Sequence, residues 1–270
     1  MEQTFKAGRL TVKIYPDRGT MGRKAAGEAA ARLRELLERQ PELHLIFAAA
    51  PSQQEFLEAL CGEPGIDWSR IRAFHMDEYV GLPAEAPQAF GRFLKDRIFA
   101  KLPFRSVDYL DGNAEDIETE CARYAALLER FPADIVFMGI GENNHIAFND
   151  PHVADFNDSR AVKAVELDAA CRLQQVHDGC FSHIGEVPAH ALTLTIPALL
   201  RAPYIFCMVP GKNKRQAVYH TLYSPLGEQY PSTILRTQNH AVLYVDRESA
   251  EMLSGMPPAE GSVEQDFAGE

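Results

Sequence analysis

The sequence lacks any long apolar run. No stretch approaches the roughly 20 consecutive apolar residues that cross a bilayer, so we expect no transmembrane helix and no membrane partner. The segment from Met1 to Lys6 also lacks the basic start and apolar run of a secretory signal. These absences predict a cytoplasmic protein.

Positive charge is scarce as well. The chain has 27 Lys and Arg against 38 Asp and Glu, a formal net charge of −11. Surfaces that bind nucleic acids need clustered Lys and Arg, so we exclude a general nucleic-acid partner. A small anionic ligand stays compatible with this charge, because a few cations focused in a cleft suffice to bind a phosphate.

The cysteines do not suggest a disulfide framework. There are five, an odd number, and they are scattered along the chain. This pattern is typical of reduced thiols in the cytoplasm. Cys171, His177, Cys180 and His183 have side chains that bind zinc, but their spacing matches no established zinc pattern. We therefore predict no metal and no cofactor.

Short apolar segments alternate with amphipathic ones along most of the chain. The predicted strands are 10–14, 43–49, 71–76, 107–110, 135–138, 161–166, 191–196, 204–209 and 241–245. The predicted helices are 21–39, 55–61, 90–101, 115–130, 167–175 and 212–222, with shorter ones starting at 197 and 248. This alternation predicts a Rossmann-like α/β fold, a mostly parallel sheet with helices on both faces.

We expect residues 1–255 to form a single α/β domain. Residues 256–270 are rich in Pro, Gly and acidic side chains and are predicted to be a disordered tail. Residues 174–186, rich in His, Asp, Gly and Ser, read as a loop that could cover a site.

Two polar clusters follow predicted strands directly. His145 and Asp150 lie just after the strand 135–138, and Asp77 and Glu78 follow the strand 71–76. Open α/β sheets bind ligands at the carboxyl ends of their strands, and acid–base catalysis needs an imidazole and carboxylates that converge there. The alternative is structural: carboxylates that cap helices or turns, and a buried histidine bonded to the backbone.

Two segments could bind an anion. Ala50, Pro51, Ser52 and Gln53 join a strand to a helix start, where backbone N–H groups attract anions, although the segment has no glycine and Pro51 lacks an N–H. Lys214 follows Gly211 at another helix start and could meet the anion from the opposite wall, or lie solvated at the surface. Ser52 lacks the Gly-x-Ser-x-Gly context of a hydrolase nucleophile.

Two motifs resemble the glucosamine-6-phosphate deaminase (isomerase) family, which is distantly related to 6-phosphogluconolactonases. They are Phe-His-Met-Asp-Glu-Tyr-Val-Gly-Leu-Pro at 74–83 and Met-Gly-Ile-Gly-Glu-Asn-Asn-His-Ile-Ala-Phe-Asn-Asp-Pro at 138–151, with weaker matches at 191–195 and 210–214. The resemblance implies metal-free conversion of glucosamine 6-phosphate and water into fructose 6-phosphate and ammonia. By resemblance, Asp77 moves the proton between C2 and C1, His145 opens the sugar ring, and Lys214 binds the phosphate.

The expected catalytic residues are thus Asp77, His145, Asp150 and Asn143. The residues expected to bind the sugar or its phosphate are Ala50, Pro51, Ser52, Gln53, Glu78, Gly141, Arg172 and Lys214.

The chain departs from the family pattern at the site. Asn143 stands where the family commonly has Asp, and Asp150 where it usually has a Glu that supports the histidine. The segment 49–52 replaces a Gly-Gly-Thr phosphate loop, and the family's phosphate-binding Arg appears here as His177 or Asp178, with Arg172 the nearest substitute. Losing one charged hydrogen bond to phosphate costs about 1.5–3 kcal/mol, or roughly tenfold to a hundredfold in affinity. We therefore expect intact proton transfer and weakened phosphate recognition.

Two other functions stay open from sequence. A lactone hydrolase would share the glycine-rich core and His145, but would need no carbon-acid base at Asp77. A non-catalytic sugar-phosphate sensor would bind without turnover. In each case the partner is a small-molecule sugar phosphate, and the family resemblance implies a homo-oligomer.

Overall fold

The computed structural model describes residues 2–254. Its strands are β1 (Gln3–Ala7), β2 (Leu10–Tyr15), β3 (Leu43–Phe47), β4 (Ile71–His75), β5 (Asp77–Tyr79), β6 (Ser106–Asp108), β7 (Ile135–Met138), β8 (Val162–Glu166), β9 (His190–Leu194), β10 (Tyr204–Val209) and β11 (Ala241–Asp246). Its α-helices are α1 (Arg18–Arg39), α2 (Gln54–Cys61), α3 (Phe90–Leu94), α4 (Ile117–Arg130), α5 (Ala169–His177), α6 (Ile196–Leu200) and α7 (Arg215–Tyr223). The predicted tail, 256–270, lies outside the described residues.

Eight strands form the central sheet, in the order β1-β2-β11-β10-β7-β3-β4-β6. Every neighbouring pair is parallel except the β1–β2 hairpin. The predicted α/β fold with a mostly parallel sheet is therefore confirmed. None of the helices among residues 2–254 combines the length and apolarity that a membrane span requires.

The central strands are buried on both faces. In β3, Leu43, Leu45 and Phe47 pack into the core on one side of the sheet, while Ile46 packs into the core on the other. Helix α1 contributes to the first core and α4 and α7 to the second. Gly22 allows the close contact between α1 and α2, since a Cβ atom there would lie 2.7 Å from the Cβ atom of Glu55.

A second, antiparallel sheet of order β5-β9-β8 was not predicted. The sequence suggested one strand ending at Met76, but the chain leaves the central sheet there and continues as β5. The predicted strands 161–166 and 191–196 belong to this smaller sheet as β8 and β9. Periodicity could not reveal the difference, because a short buried strand looks the same in either sheet.

Four element predictions need correction. Strand β1 was missed, because it is an exposed edge strand with little apolar content. The predicted helix 90–101 is α3 followed by a π-helical segment, Lys95–Phe99. The helix predicted from 248 is a turn and a short 3-10 segment, Glu251–Leu253. Helix α5, capped by the Asp168 side chain, extends into the segment predicted as loop.

Candidate active site

A pocket lies at the carboxyl ends of neighbouring strands in the middle of the central sheet. The segments after β3, β4, β7 and β10 reach it, together with the C-terminal half of α5. Of the predicted site residues, seven line the pocket: Ala50, Ser52, Gln53, Asp77, Gly141, His145 and Lys214. Pro51, Glu78, Asn143, Asp150 and Arg172 do not line it.

The Asp77 carboxyl group is buried, with 7% of the residue exposed. Burial, and then the nearby charge of Glu78, raise the pKa of Asp77 well above its usual range. No group among residues 2–254 donates a hydrogen bond to this carboxylate. A carboxylate without such partners is a stronger base than an exposed one, which suits it to take a proton from carbon.

Glu78 has a different environment from its neighbour. Its carboxylate accepts hydrogen bonds from the backbone N–H groups of Tyr79, Phe90 and Gly91, at 2.9, 3.0 and 2.7 Å. Burial raises the pKa of Glu78, and the three N–H groups oppose that shift. Glu78 therefore ties β5 to the start of α3 and does not reach the pocket.

The His145 ring is held through its Nδ1 atom. Nδ1 lies 2.7 Å from the Asn143 side-chain oxygen and 3.0 Å from Oδ1 of Asp150. With two acceptors there, Nδ1 carries the hydrogen and Nε2 is left open to accept a proton in the pocket. Burial favours a neutral Asp150, but bonds from His145, Asn143 and the Asp168 N–H together hold the pKa of Asp150 below its usual range.

A tight loop places this histidine against Gly141. The Gly141 N–H donates to the His145 carbonyl at 2.9 Å. A Cβ atom at Gly141 would lie only 2.1–2.3 Å from three atoms of the His145 ring. Only glycine fits at this position, because any side chain would displace the imidazole.

Asn144 anchors the same loop to the body of the protein. It is buried and adopts the left-handed conformation, with φ of 70°, which asparagine tolerates better than most residues. Its amide donates to the Ala217 carbonyl and to the Ser232 hydroxyl, both at 2.8 Å. The Ser232 N–H donates back to the Asn144 carbonyl at 3.0 Å. These bonds fix His145 relative to α7.

The other end of the pocket holds one buried cation, Lys214. Only 5% of the residue is exposed, and its ammonium group makes no hydrogen bond or ion pair with any residue from 2 to 254. Burial lowers the pKa of Lys214, while the charges of Asp178 and Glu142 act to raise it. An unpaired buried ammonium is suited to bind an anion.

The predicted anion loop faces this lysine. The Gln53 amide donates to the Met208 carbonyl at 3.1 Å and to the Ser52 hydroxyl at 3.2 Å. A Cβ atom at Gly139 would lie 3.0 Å from that amide. The loop is thus packed closely onto the end of β7, with Ser52 and the Ala50 backbone at the pocket.

Helix α5 supplies two pocket residues that the sequence did not reveal, Gln174 and Gln175. The Gln174 side-chain oxygen accepts from the Glu142 N–H at 2.7 Å. Gln175 is a buried residue, and its side-chain amide makes no hydrogen bond to another described residue. Both residues lie where the predicted helix 167–175 overlaps the predicted loop 174–186, and an uncharged amide gave no sign of a role in the pocket.

Arg172 lies outside the pocket. Its guanidinium donates to the carbonyls of Ile184 and Val187, both at 2.8 Å, and so ties α5 to the segment that follows it. His177 contacts Glu142 at 3.2 Å. No arginine is therefore among the described residues that line the pocket, where we expected Arg172.

The residues considered for zinc from the sequence do not form a metal site: within residues 2–254, no three of them are close enough to share an ion. They are Cys171, His177, Cys180 and His183. His145, Asp150 and Cys171 do bring possible ligand atoms within 4.8 Å of one another. The hydrogen bonds of His145 account for that geometry, and burial raises the pKa of the Cys171 thiol well above its usual range, so Cys171 is a poor thiolate donor.

Comparison with known proteins places this pocket in a family. The family model described as glucosamine-6-phosphate isomerases/6-phosphogluconolactonase matches residues 16–244. The chain belongs to this family. The resemblance noted in the two sequence motifs is thereby confirmed.

Several members of the glucosamine-6-phosphate isomerase/6-phosphogluconolactonase family match this chain over most of its length. A glucosamine-6-phosphate deaminase of Listeria innocua is 31% identical over 237 residues, which are 87% of this chain and 98% of that protein. The structure of a monomeric glucosamine-6-phosphate deaminase superposes with a TM-score of 0.81 at 27% identity, covering 89% of this chain and 99% of the other. A 6-phosphogluconolactonase from Thermotoga maritima, at 20% identity and a TM-score of 0.71, covers 87% and 98% and shares the fold.

Proposed function

We propose that the protein converts glucosamine 6-phosphate and water into fructose 6-phosphate and ammonia. One observation carries this proposal: a buried carboxylate without a hydrogen-bond donor, a histidine with an open Nε2 and an unpaired ammonium line the same small pocket. The deaminase relatives support the substrate and reaction.

The reaction begins with ring opening at His145. Its Nε2 takes the proton of the anomeric hydroxyl and returns a proton to the ring oxygen as the C1–O5 bond breaks. Asn143 and Asp150 hold the Nδ1–H on the far side, so the imidazolium that forms is stabilised by a hydrogen bond and a nearby negative charge. The product of this step is the open-chain aldehyde.

Asp77 then moves one proton from C2 to C1. Removing the C2 proton, while one proton of the substrate ammonium moves to O1, gives an enolamine. Returning the first proton to C1 gives the protonated C2 imine. Water adds to the imine and ammonia leaves, which yields fructose 6-phosphate. The raised pKa of Asp77 makes it basic enough to take a carbon-bound proton and then to return it.

Phosphate recognition centres on Lys214 and the segment from Ala50 to Gln53. The backbone of that segment, the Ser52 hydroxyl and the Gln175 amide surround the same space as the Lys214 ammonium. With one cation in the pocket, binding is expected to be weaker than in a site with an added arginine.

We further propose that the protein acts in the cytoplasm and assembles with copies of itself. Its five cysteines are all unpaired thiols, which suits a reducing compartment. The oligomer is what the family resemblance implies, whereas the similar structure of a monomeric deaminase favours a single subunit. Light scattering after size-exclusion chromatography measures it: a mass near 30.1 kDa would contradict the oligomer.

Ammonia release from glucosamine 6-phosphate by the purified protein tests the reaction. We expect turnover by the wild type and loss of at least a hundredfold in kcat for Asp77→Asn, since Asp77 is the only carboxylate among the described residues that line the pocket and His145 is assigned to ring opening. Asp67→Asn, which alters an exposed carboxylate that caps a turn, is the control and should match the wild type. In the presence of ammonium, which converts fructose 6-phosphate into the C2 imine, exchange of the C1 hydrogen with D₂O follows the Asp77 step without ammonia release.

Three results would contradict the proposal. Full turnover by Asp77→Asn would remove that residue from the proton transfer. Hydrolysis of 6-phosphogluconolactone without ammonia release would indicate a lactonase. A thermal shift with sugar phosphates and no turnover of either substrate would indicate a sensor.

A further inference from the structure

The Asn143 side chain lies between two carboxylates. Its amide nitrogen donates to Oδ1 of Asp150 and to Oδ2 of Asp168, each at 3.0 Å. Both N–H bonds of the amide are therefore used, and the amide oxygen must point the other way. It accepts from Nδ1 of His145 at 2.7 Å and from the His145 backbone N–H at 3.2 Å.

Asp168 makes three contacts at once. Besides accepting from Asn143, its other oxygen caps α5 by accepting from the Cys171 N–H at 2.6 Å. Its backbone N–H donates to Oδ2 of Asp150 at 3.2 Å. The start of α5 is thus joined directly to both residues that hold the His145 ring.

These contacts determine which residue type fits at position 143. A carboxylate there would face the carboxylates of Asp150 and Asp168 at hydrogen-bond distance without a proton between them, and like charges at that distance repel strongly. An amide donates to both carboxylates and keeps its oxygen for the imidazole. If the amide were rotated by 180°, its oxygen would face the carboxylates of Asp150 and Asp168.

We propose that Asp168 is a positioning residue for His145: it holds the Asn143 amide with its oxygen toward the imidazole, and it is the reason that an amide stands at position 143. This inference deepens the proposed function and rests on it for its activity readouts.

Several other groups surround the imidazole and could alter its behaviour. Asp150 bonds to Nδ1, and the Cys171 thiol at the start of α5 lies within 4.8 Å of the same cluster of atoms. Asp77 and Lys214 line other walls of the pocket. The variants below leave these four residues unchanged, so a change in pH dependence reports the contacts of positions 143 and 168.

Asp168→Ser separates the two roles of the side chain. A serine hydroxyl still caps the helix, but it is too short to reach the Asn143 amide. We expect a melting temperature close to that of the wild type, a kcat lower by about tenfold to a hundredfold, and a shifted pH–rate profile. Asp116→Ser is the matched control, since Asp116 caps α4 in the same way outside the pocket.

A charge exchange tests the second half of the proposal. Asn143→Asp alone should lower kcat about tenfold or more. Adding Asp168→Asn supplies an amide that donates to the new carboxylate, so the double variant should recover part of that loss. If the double variant were no more active than Asn143→Asp, Asp168 would not be the reason for the amide at position 143.

An NMR readout keeps this inference separate from the proposed reaction. The ¹⁵N shifts of a histidine side chain report which ring nitrogen carries the proton, and His145→Gln assigns the signal. We expect Asp168→Ser, but not Asp116→Ser, to change the His145 pattern. Unchanged shifts together with an unchanged pH–rate profile would overturn the positioning role. If the wild type released no ammonia, the proposed function would fail, and the ¹⁵N shifts would still decide whether Asp168 positions His145.

Discussion

Gly141→Ala should disable the site while leaving the fold largely intact. A Cβ atom at this position would lie 2.1 Å from Cε1 of His145, about 1.4 Å short of the roughly 3.5 Å at which carbon atoms meet. The ring must therefore move by more than about 1 Å. A shift of that size stretches the 2.7 Å contact between Nδ1 and the Asn143 oxygen beyond hydrogen-bond range.

The magnitude follows from this displacement. Misplacing a catalytic group by about 1 Å costs on the order of 100-fold in rate, or about 2.7 kcal/mol in the activation barrier. Overpacking costs about 1–3 kcal/mol of stability, which a domain with a stability of about 5–15 kcal/mol survives. We therefore expect kcat to fall about 100-fold in a protein that still unfolds cooperatively.

Steady-state ammonia release and thermal unfolding measure both effects. Gly27→Ala is the control: its Cβ atom would lie 3.8 Å from the nearest atom, a Glu63 oxygen, and alanine favours the helix by about 1 kcal/mol. This variant should be fully active and slightly more stable. A Gly141→Ala protein that kept more than about a third of the wild-type kcat would refute the steric reasoning, since a threefold loss corresponds to only about 0.65 kcal/mol of the expected roughly 2.7 kcal/mol.

Three further predictions follow from burial. Burial raises the folded-state pKa of Asp77 above its unfolded value, so ionisation of Asp77 destabilises the native state above about pH 4. Asp77→Asn should therefore raise the melting temperature at neutral pH but not below about pH 4. A gain in melting temperature that persisted in acid would contradict this cause. Burial lowers the pKa of Lys214, so KM should begin to rise with pH at values below those at which an ordinary lysine loses its proton. Lys214→Gln should raise KM about tenfold to a hundredfold and remove that pH dependence. An unchanged KM would mean that the phosphate binds elsewhere. Asn144→Ala leaves the Ala217 carbonyl and the Ser232 hydroxyl with fewer partners, so urea denaturation should show a loss of about 2–4 kcal/mol; a loss below about 1 kcal/mol would mean that the loop is held by other contacts.

Much of the fold follows from local sequence. The strand at 135–138 and the polar cluster after it indicated a buried parallel strand with a site at its carboxyl end, and the structure has that strand with a pocket at its carboxyl end. The antiparallel sheet could not be predicted, because β5 has only three residues and pairs with a segment more than a hundred residues away. Pairing at that distance leaves no local periodicity.

The candidate site was likewise only partly predictable from the sequence. Asp77 and His145 were predicted because titratable side chains follow strands that end at one edge of the sheet, and Lys214 was predicted from the family resemblance; all three line the pocket. Arg172 was predicted on charge and position along the chain, but its guanidinium is directed to backbone carbonyls. Gln175 was missed, since an uncharged amide carries no signal until the packing of α5 brings it to the pocket.

The sequence by itself therefore determined the family and the alternation of strands and helices, and it predicted acid–base groups that line the pocket, because these depend on residue type and short-range spacing. Only the tertiary structure decided how those groups behave. In the folded protein the buried Asp77 carboxylate has no hydrogen-bond donor among the described residues, and Glu78 accepts hydrogen bonds that join β5 to α3. Asn143 lies between two carboxylates, one of them at the start of α5. Hydrogen-bond direction and desolvation depend on residues distant in the chain, which is why the fold had to be known first.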